Sequence, residues 1–374
     1  MATHVRSYSK INLGLAIGPV RADGFHGLVT LYQTLALHDL VTVSARRVPE
    51  TRIGLTTNHP FVPPDARNTA WKMVELALGR FGINAEVEIH IEKQLPVQGG
   101  MGAGSANAAA ALLGLERELR LALSEAERLA VAAEVGSDVP LFLVGGAVLG
   151  TSRGEQVSAF PDFPATDCVI AIPEVRVSTP RAFRDWDERQ GVGSRDQGSE
   201  SQSGLTHGVG ADRLKKLSLA YASVFSHRAT VVPEETDVAS DASGIVRGPA
   251  FESSPEKKQA DSEDESLQQG STLNGLAENP LLALVRTGIE NDFEQVVFPQ
   301  YPLLREIKHE LMGIGSESPA LYAALSGSGS ALFGLYRSEA DAKAAQQRVQ
   351  ASGCKALLTK TLPRAEYWRT MFAE

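Results

Sequence analysis

GGMGAGSANAAAA, residues 99–111, sets glycines and a serine in front of an unbroken alanine run, and it follows the alternating segment VEIHIEKQLP at 87–96. The order is strand, glycine-rich bend, helix, with the helix expected from about Ser105 to 122 on its alanine and leucine content. Glycine tolerates positive φ and lets backbone approach a ligand closely. The free N–H groups of a helix's first turn, aided by its dipole, attract an anion. A Walker A loop needs a lysine followed by serine or threonine after its last glycine, and a Rossmann GxGxxG needs a glycine where Ser105 stands, so neither pattern fits. Taken alone, the loop admits two readings. It is a phosphate cradle, or it is a packing bend in which Ala106, Ala108 and Ala109 bring a helix close to a sheet.

Upstream, YSKINLGLAIG at 8–18 alternates, with Ile11, Leu13, Leu15 and Ile17 on one face and Tyr8, Lys10 and Asn12 on the other. The pattern predicts a half-buried strand, and a lone lysine on such a face is usually solvated. After the turn at Asp23 and Gly24, LVTLYQTLALHDLVTVSA predicts two further strands of an antiparallel region. NTAWKMVELALGRFG at 68–82 predicts a helix with Asn68 in the N-cap region and Gly82 as its stop. His90 shares a strand face with Glu88 and Glu92 and lacks a second ligand at metal spacing, so it is expected to be solvated. Ser124 and Glu127 form a capping box for a helix ending before Gly136. GSDVP at 136–140 then drops Asp138 into a loop, where an aspartate serves equally well as a turn residue. ALSGSGSALFGLY at 324–336 is a second tight glycine-serine turn.

The chain has 374 residues, 43% of them hydrophobic, enough for two domains or one large domain with an insertion. Its net charge of −9 supplies no global cationic field for nucleic acid or anionic lipid. Cys168 and Cys354 lie far apart with no CxxC or Cys/His metal spacing, which suits two buried thiols in a reducing compartment. MATHVRSYSK lacks the apolar core of a signal peptide, and VPLFLVGGAVLG at 139–150 is too short to span a bilayer. A cytoplasmic, non-membrane protein is expected. Residues 187–275 are rich in Ser, Gly, Gln, Asp and Glu and bury too little apolar area to offset chain entropy; a largely disordered insertion is expected, with 211–225 as a helical island.

In this order, a strand carrying Lys10, then PVQGGMGAGSANAA, GSDVP and LSGSGSA, the chain resembles the GHMP kinase superfamily of small-molecule kinases. SKINLGLAIGPVRADGFHGLVTLYQTL, ARNTAWKM and GSDVPLFLVGGAVLGTSRGE make it most similar to the branch whose substrate is an alcohol carrying cytidine diphosphate. The resemblance covers nearly all of 5–186 and 276–368 and leaves out the polar tract. It implies an α+β, two-domain fold: an N-terminal domain over 1–160 like domain 2 of ribosomal protein S5, and a ferredoxin-like C-terminal domain over 161–374 that holds the insertion.

It also implies ATP with Mg²⁺ as the phosphoryl donor and a small cytidyl alcohol as acceptor, with no nucleic-acid or membrane partner. By resemblance, Asp138 is the base that takes the acceptor's proton, and Lys10 positions it and neutralises developing charge, as phosphoryl transfer requires. Pro96, Val97, Gln98, Gly99, Gly100, Met101, Gly102, Ala103, Gly104, Ser105 and Ala106 match the ATP-phosphate loop. Ser105 is its hydroxyl contact to phosphate or Mg²⁺, no dedicated protein metal site is implied, and Asn68 reaches the nucleotide base. Phe25 and Phe183 match two aromatics that sandwich the cytosine, His26 hydrogen-bonds it, and Asn12 contacts the substrate near the reaction centre.

Three residues of the loop depart from the family pattern: Gln98, Ala103 and Ala106. Ala103 restricts φ if its position is left-handed, and Ala106 removes a possible phosphate donor. Phe25 stands where tyrosine is usual. Two alternatives remain open beside the cytidyl kinase: a GHMP kinase for another small alcohol, and a non-catalytic binding protein with a decayed kinase site.

Overall fold

The structure is a computed structural model, and it describes residues 2–97, 99–191, 280–286 and 288–373. Two sheets organise the described residues. The first has seven strands: β1 (Thr3–Val20), β2 (His26–Arg47), β3 (Arg52–Thr57), β4 (Ala85–Glu92), β5 (Ala147–Thr151), β6 (Gln156–Ala159) and β11 (Phe372–Ala373). The second has the order β10-β7-β9-β8, with β7 Asp167–Ile172, β8 Tyr322–Leu325, β9 Leu332–Tyr336 and β10 Lys355–Lys360. The helices are α1 (Thr69–Phe81), α2 (Ala103–Leu119), α3 (Glu125–Val135), α4 (Thr179–Arg189), α5 (Pro280–Arg286), α6 (Glu294–Gln300), α7 (Pro302–Met312), α8 (Glu339–Ala351) and α9 (Arg364–Thr370).

LVTLYQTLALHDLVTVSA forms one strand where two were expected. No glycine or proline interrupts its alternation, and β2 is long enough to pair with β5 through Thr30–Gln33 and with β4 through Leu40–Arg47. β1 is also more buried than its alternation predicts. Tyr8, Lys10 and Asn12 are as inaccessible as Ile11 and Leu13. One part of the strand packs with the helices, through Tyr8, and another packs towards the second sheet, through Leu15 and Ile17. Ile11, Leu13, Leu31, Met101, Ile170 and Phe333 form a third apolar cluster joining residues of both sheets.

Local signals in the sequence have visible counterparts. Asn68 caps α1, Gly82 ends it in a left-handed conformation, and the Ser124–Glu127 capping box is formed. α2 starts and stops two to three residues from its expected bounds, ordinary for helix ends. Its small residues bring it onto the sheet: a Cβ on Gly114 would sit 2.7 Å from Val43 Cγ2. Full burial of Leu112 and Leu115 contributes roughly 1.5–3 kcal/mol each. His90 is exposed and pairs with Thr56.

α4 extends ordered structure into the start of the polar tract; the remainder of that tract, including the expected 211–225 helix, lies outside the described residues. At the other end, Val5 pairs with Phe372, so the last described residues rejoin the first sheet. Among the described residues, no helix is long and apolar enough to cross a membrane.

Candidate active site

The glycine loop between β4 and α2 is held from both ends. On its lead-in side, Lys93 and Asp39 form a buried ion pair, and Asp39 Oδ1 accepts hydrogen bonds from the backbone N–H groups of Gln94 and Leu95, each at 2.8 Å. On its far side, the β8–β9 turn that carries LSGSGSA closes against it. Ser326 Oγ donates to Gly100 O at 3.0 Å, and Ala331 N–H donates to Gly99 O at 3.2 Å. Asn291 braces that turn from behind, donating to the carbonyls of Leu325 and Gly327. The two glycine motifs, 226 residues apart at Gly100 and Ser326, thus make one structure.

Gly99, Gly100 and Gly102 have φ of 119°, 79° and 69°, while Ala103 is the first residue of α2 and is absent from the left-handed set. The strained positions are all glycine, so Ala103 carries no φ penalty. Ala106 is 2% exposed within the first apolar cluster, so a hydroxyl there would meet core rather than ligand. Gly102 is the N-cap of α2 and offers no side-chain cap, and the first residues of the helix line a cleft of about 400 Å³. Asn68, Pro96, Val97, Gly102, Gly104 and Ser105 lie on its wall, with Phe61 at 72% exposure. Asn68 uses its side chain internally: Oδ1 accepts from Ala70 N–H and Nδ2 donates to Pro63 O. Met101 is buried, its carbonyl accepting from Lys10 N–H. Gln98 lies outside the described residues.

Lys10 and Asp138, 128 residues apart in sequence by their numbering, meet at the foot of this loop. Lys10 Nζ is 3.2 Å from Asp138 Oδ2 and donates to Asn12 Oδ1 at 2.6 Å. Lys10 is buried and the Asp138 side chain is 34% exposed, so the carboxylate is the partner that faces outward. Asn12 Nδ2 donates to Thr30 Oγ1, so both polar ends of that side chain have internal partners. Gly136 ends α3 and Pro140 opens a short 3₁₀ turn, an arrangement that presents Asp138 from the loop between them. Tyr32 donates to Asp138 Oδ1 at 3.1 Å. Burial holds its phenol well above the usual range, and the Asp138 charge adds to the effect.

The aromatic residues have partners of their own. His26 stacks on Phe183 with ring centroids 4.8 Å apart and planes 12° apart, and its Nε2 is 2.7 Å from Asp187 Oδ1. Phe183 also meets Phe293 edge to face. Phe25 is 54% exposed, with the Arg153 guanidinium 5.0 Å from its ring centroid. Sequence reasoning missed Tyr32, Asp187, Phe61 and the Asp39–Lys93 pair. The Tyr32–Asp138, His26–Asp187 and Asp39–Lys93 contacts join segments far apart in sequence, and no local spacing announces them.

Fold and loop resemble those of the GHMP kinases: the family model described as GHMP kinases N terminal domain matches residues 68–146, and the one described as GHMP kinases C terminal matches 276–355. Among curated relatives, the 4-diphosphocytidyl-2-C-methyl-D-erythritol kinase of Gloeobacter violaceus is 30% identical over 341 residues, covering 91% of this chain and 87% of the relative. The chain belongs to the 4-diphosphocytidyl-2-C-methyl-D-erythritol kinase family. The enzyme of that name from Rhodococcus jostii is 40% identical over 193 residues, 51% of this chain and 61% of the relative, so the chain spans about three fifths of that relative's length. Two solved structures share the fold. A 4-(cytidine 5'-diphospho)-2C-methyl-D-erythritol kinase matches with a TM-score of 0.60 at 23% identity, covering 96% of this chain and 98% of that one. A homoserine kinase from Cytophaga hutchinsonii matches with a TM-score of 0.61 at 17% identity, covering 97% and 95%.

Proposed function

We propose that this protein transfers the γ-phosphoryl group of ATP to the 2-hydroxyl of 4-diphosphocytidyl-2-C-methyl-D-erythritol, giving the 2-phosphate and ADP, within isoprenoid precursor synthesis. The observation that carries the reading is the Lys10–Asp138 pair at the foot of a glycine loop whose helix start faces an open cleft. Family membership supplies the substrate class.

In this reading the ATP phosphates lie over the first turn of α2, where uncapped N–H groups and the helix dipole favour negative charge. Mg²⁺ would neutralise charge on the phosphate oxygens there, and the Ser105 hydroxyl on the cleft wall is the side chain that would reach it or the phosphate. Asp138 takes the proton of the acceptor hydroxyl as its oxygen attacks phosphorus, and the ammonium of Lys10 stabilises the charge that develops. Such proton abstraction contributes roughly 10²- to 10⁴-fold. The cytosine stacks on exposed Phe25, with His26 as hydrogen-bonding partner; Phe183, covered by the His26 ring stacked on it, backs that histidine in place of the expected sandwich.

The test is ADP release by the wild type and by Asp138→Asn, with and without the cytidyl substrate. Substrate-dependent release in the wild type, nearly abolished in the folded variant, is expected. Release that a simpler alcohol supports and the cytidyl compound does not would move the chain to another GHMP substrate; no release with any acceptor would favour a binding protein.

A further inference from the structure

Tyr32 lies in β2 opposite Asn12 of β1 and Val148 of β5, and it is 2% exposed. Two glycines form the slot it occupies. A Cβ on Gly150 would sit 2.6 Å from Tyr32 Cε2, and one on Gly154 would sit 2.6 Å from the hydroxyl, far inside ordinary contact of about 3.5–4.0 Å. A ring serving only to fill this slot needs no hydroxyl, because a buried hydroxyl is unfavourable unless it is hydrogen-bonded. The hydroxyl here ends on Asp138 Oδ1, while Lys10 Nζ faces Oδ2 of the same carboxylate.

We propose that Tyr32 is a positioning residue for Asp138: with Lys10 on the other oxygen, its hydroxyl fixes the plane of the carboxylate and leaves the outward lone pairs to the acceptor hydroxyl. This rests on the reading of Asp138 as the base. A carboxylate offers about four acceptor sites, so the two inward donors leave room for a proton to be received from the cleft. The charged and titratable groups recorded around the phenol are Lys10 of β1, 5.4 Å from the ring centroid, with Asp138 and Glu155. Burial and the two carboxylates keep the phenol protonated, so it donates throughout the working pH range.

The sign of the pH effect follows. A hydrogen bond to an ionised carboxylate favours that form, so losing the donor from the hydroxyl slot should move the acid limb of the rate profile to higher pH. In Tyr32→Phe, kcat with ATP and the cytidyl substrate should fall about tenfold, the KM for ATP should stay unchanged, and the acid limb of kcat/KM should move to higher pH by up to about one unit. Replacing Tyr32 by a fluorinated tyrosine, a more acidic and stronger donor, should move that limb to lower pH. A wild-type rate and pH profile in Tyr32→Phe overturns the inference. So does a lower rate with an unmoved pH profile, a lower Tm and weaker ADP binding, since that combination is core filling alone. If Tyr32→Phe does not fold, the fluorinated protein decides: an unmoved limb overturns the proposal. Failure of the underlying reading is separate, since then Asp138→Asn itself keeps wild-type activity.

Discussion

Gly102→Ala should disturb both the active site and the fold. Gly102 has φ of 69°, and a Cβ there would meet Phe142 Cζ at 2.9 Å, Lys10 Cγ at 3.1 Å and Lys10 Cε at 3.2 Å. Carbon atoms prefer about 3.5–4.0 Å, so the lysine stem must retreat by roughly half an ångström, and it cannot do so without moving the ammonium facing Asp138. The left-handed backbone adds about 1–2 kcal/mol and the overpacking about 1–3 kcal/mol, together about 2–5 kcal/mol of stability. Misplacing a reacting group by 1 Å costs about 10²-fold, so kcat should fall between about 10- and 100-fold. Gly104→Ala is the control. It lies in α2 without a positive φ, and its Cβ would meet only Thr69 Oγ1 at 3.6 Å. That variant should gain stability, by at most about 1 kcal/mol. Thermal unfolding and steady-state ADP release measure both. A wild-type Tm and kcat in Gly102→Ala would mean that the lysine does not depend on the loop beside it.

Phe61, exposed on the cleft wall, should stack on the ATP base: Phe61→Ala raises the KM for ATP about 2- to 10-fold with kcat unchanged, and an unchanged KM contradicts that placement. Cys168 and Cys354 are buried, and burial pushes both thiols upward, Cys168 far above the usual range. A thiol reagent at neutral pH should therefore label neither in the native protein and both after denaturation; rapid native labelling contradicts the burial.

Much of the fold was legible because its signals are local. Asn68, Ser124, Glu127 and Gly82 mark helix ends through their own hydrogen bonds or φ, so a window of a few residues suffices. The glycine loop was legible in kind, but the choice between cradle and packing bend was not, because the same small residues seat α2 closely and leave its uncapped start on the cleft wall. Gly99, Gly100 and Gly102 bend it, and small residues including Gly114 seat α2 on the sheet. The setting of Ala103 and Ala106 was illegible for a related reason. Sequence gives the residue type, whereas φ and facing direction depend on where the helix begins. The burial of Lys10 was illegible, since alternation in β1 reports two faces but not what covers each of them. Tyr32 with Asp138, His26 with Asp187 and the closure of LSGSGSA on Gly100 join segments far apart in sequence, set by tertiary packing and by no local spacing.

Proton-coupled ³¹P NMR of the product reports the site of phosphoryl transfer. The carbon bearing the 2-hydroxyl also carries the methyl group and no hydrogen, so a phosphate placed there gives a phosphomonoester signal without three-bond proton splitting. Incubation of wild-type protein with ATP, Mg²⁺ and the cytidyl substrate should yield that singlet together with ADP, and Asp138→Asn should yield neither at a comparable rate. A phosphomonoester signal split by neighbouring protons, or no new phosphomonoester while the substrate persists, would contradict the account.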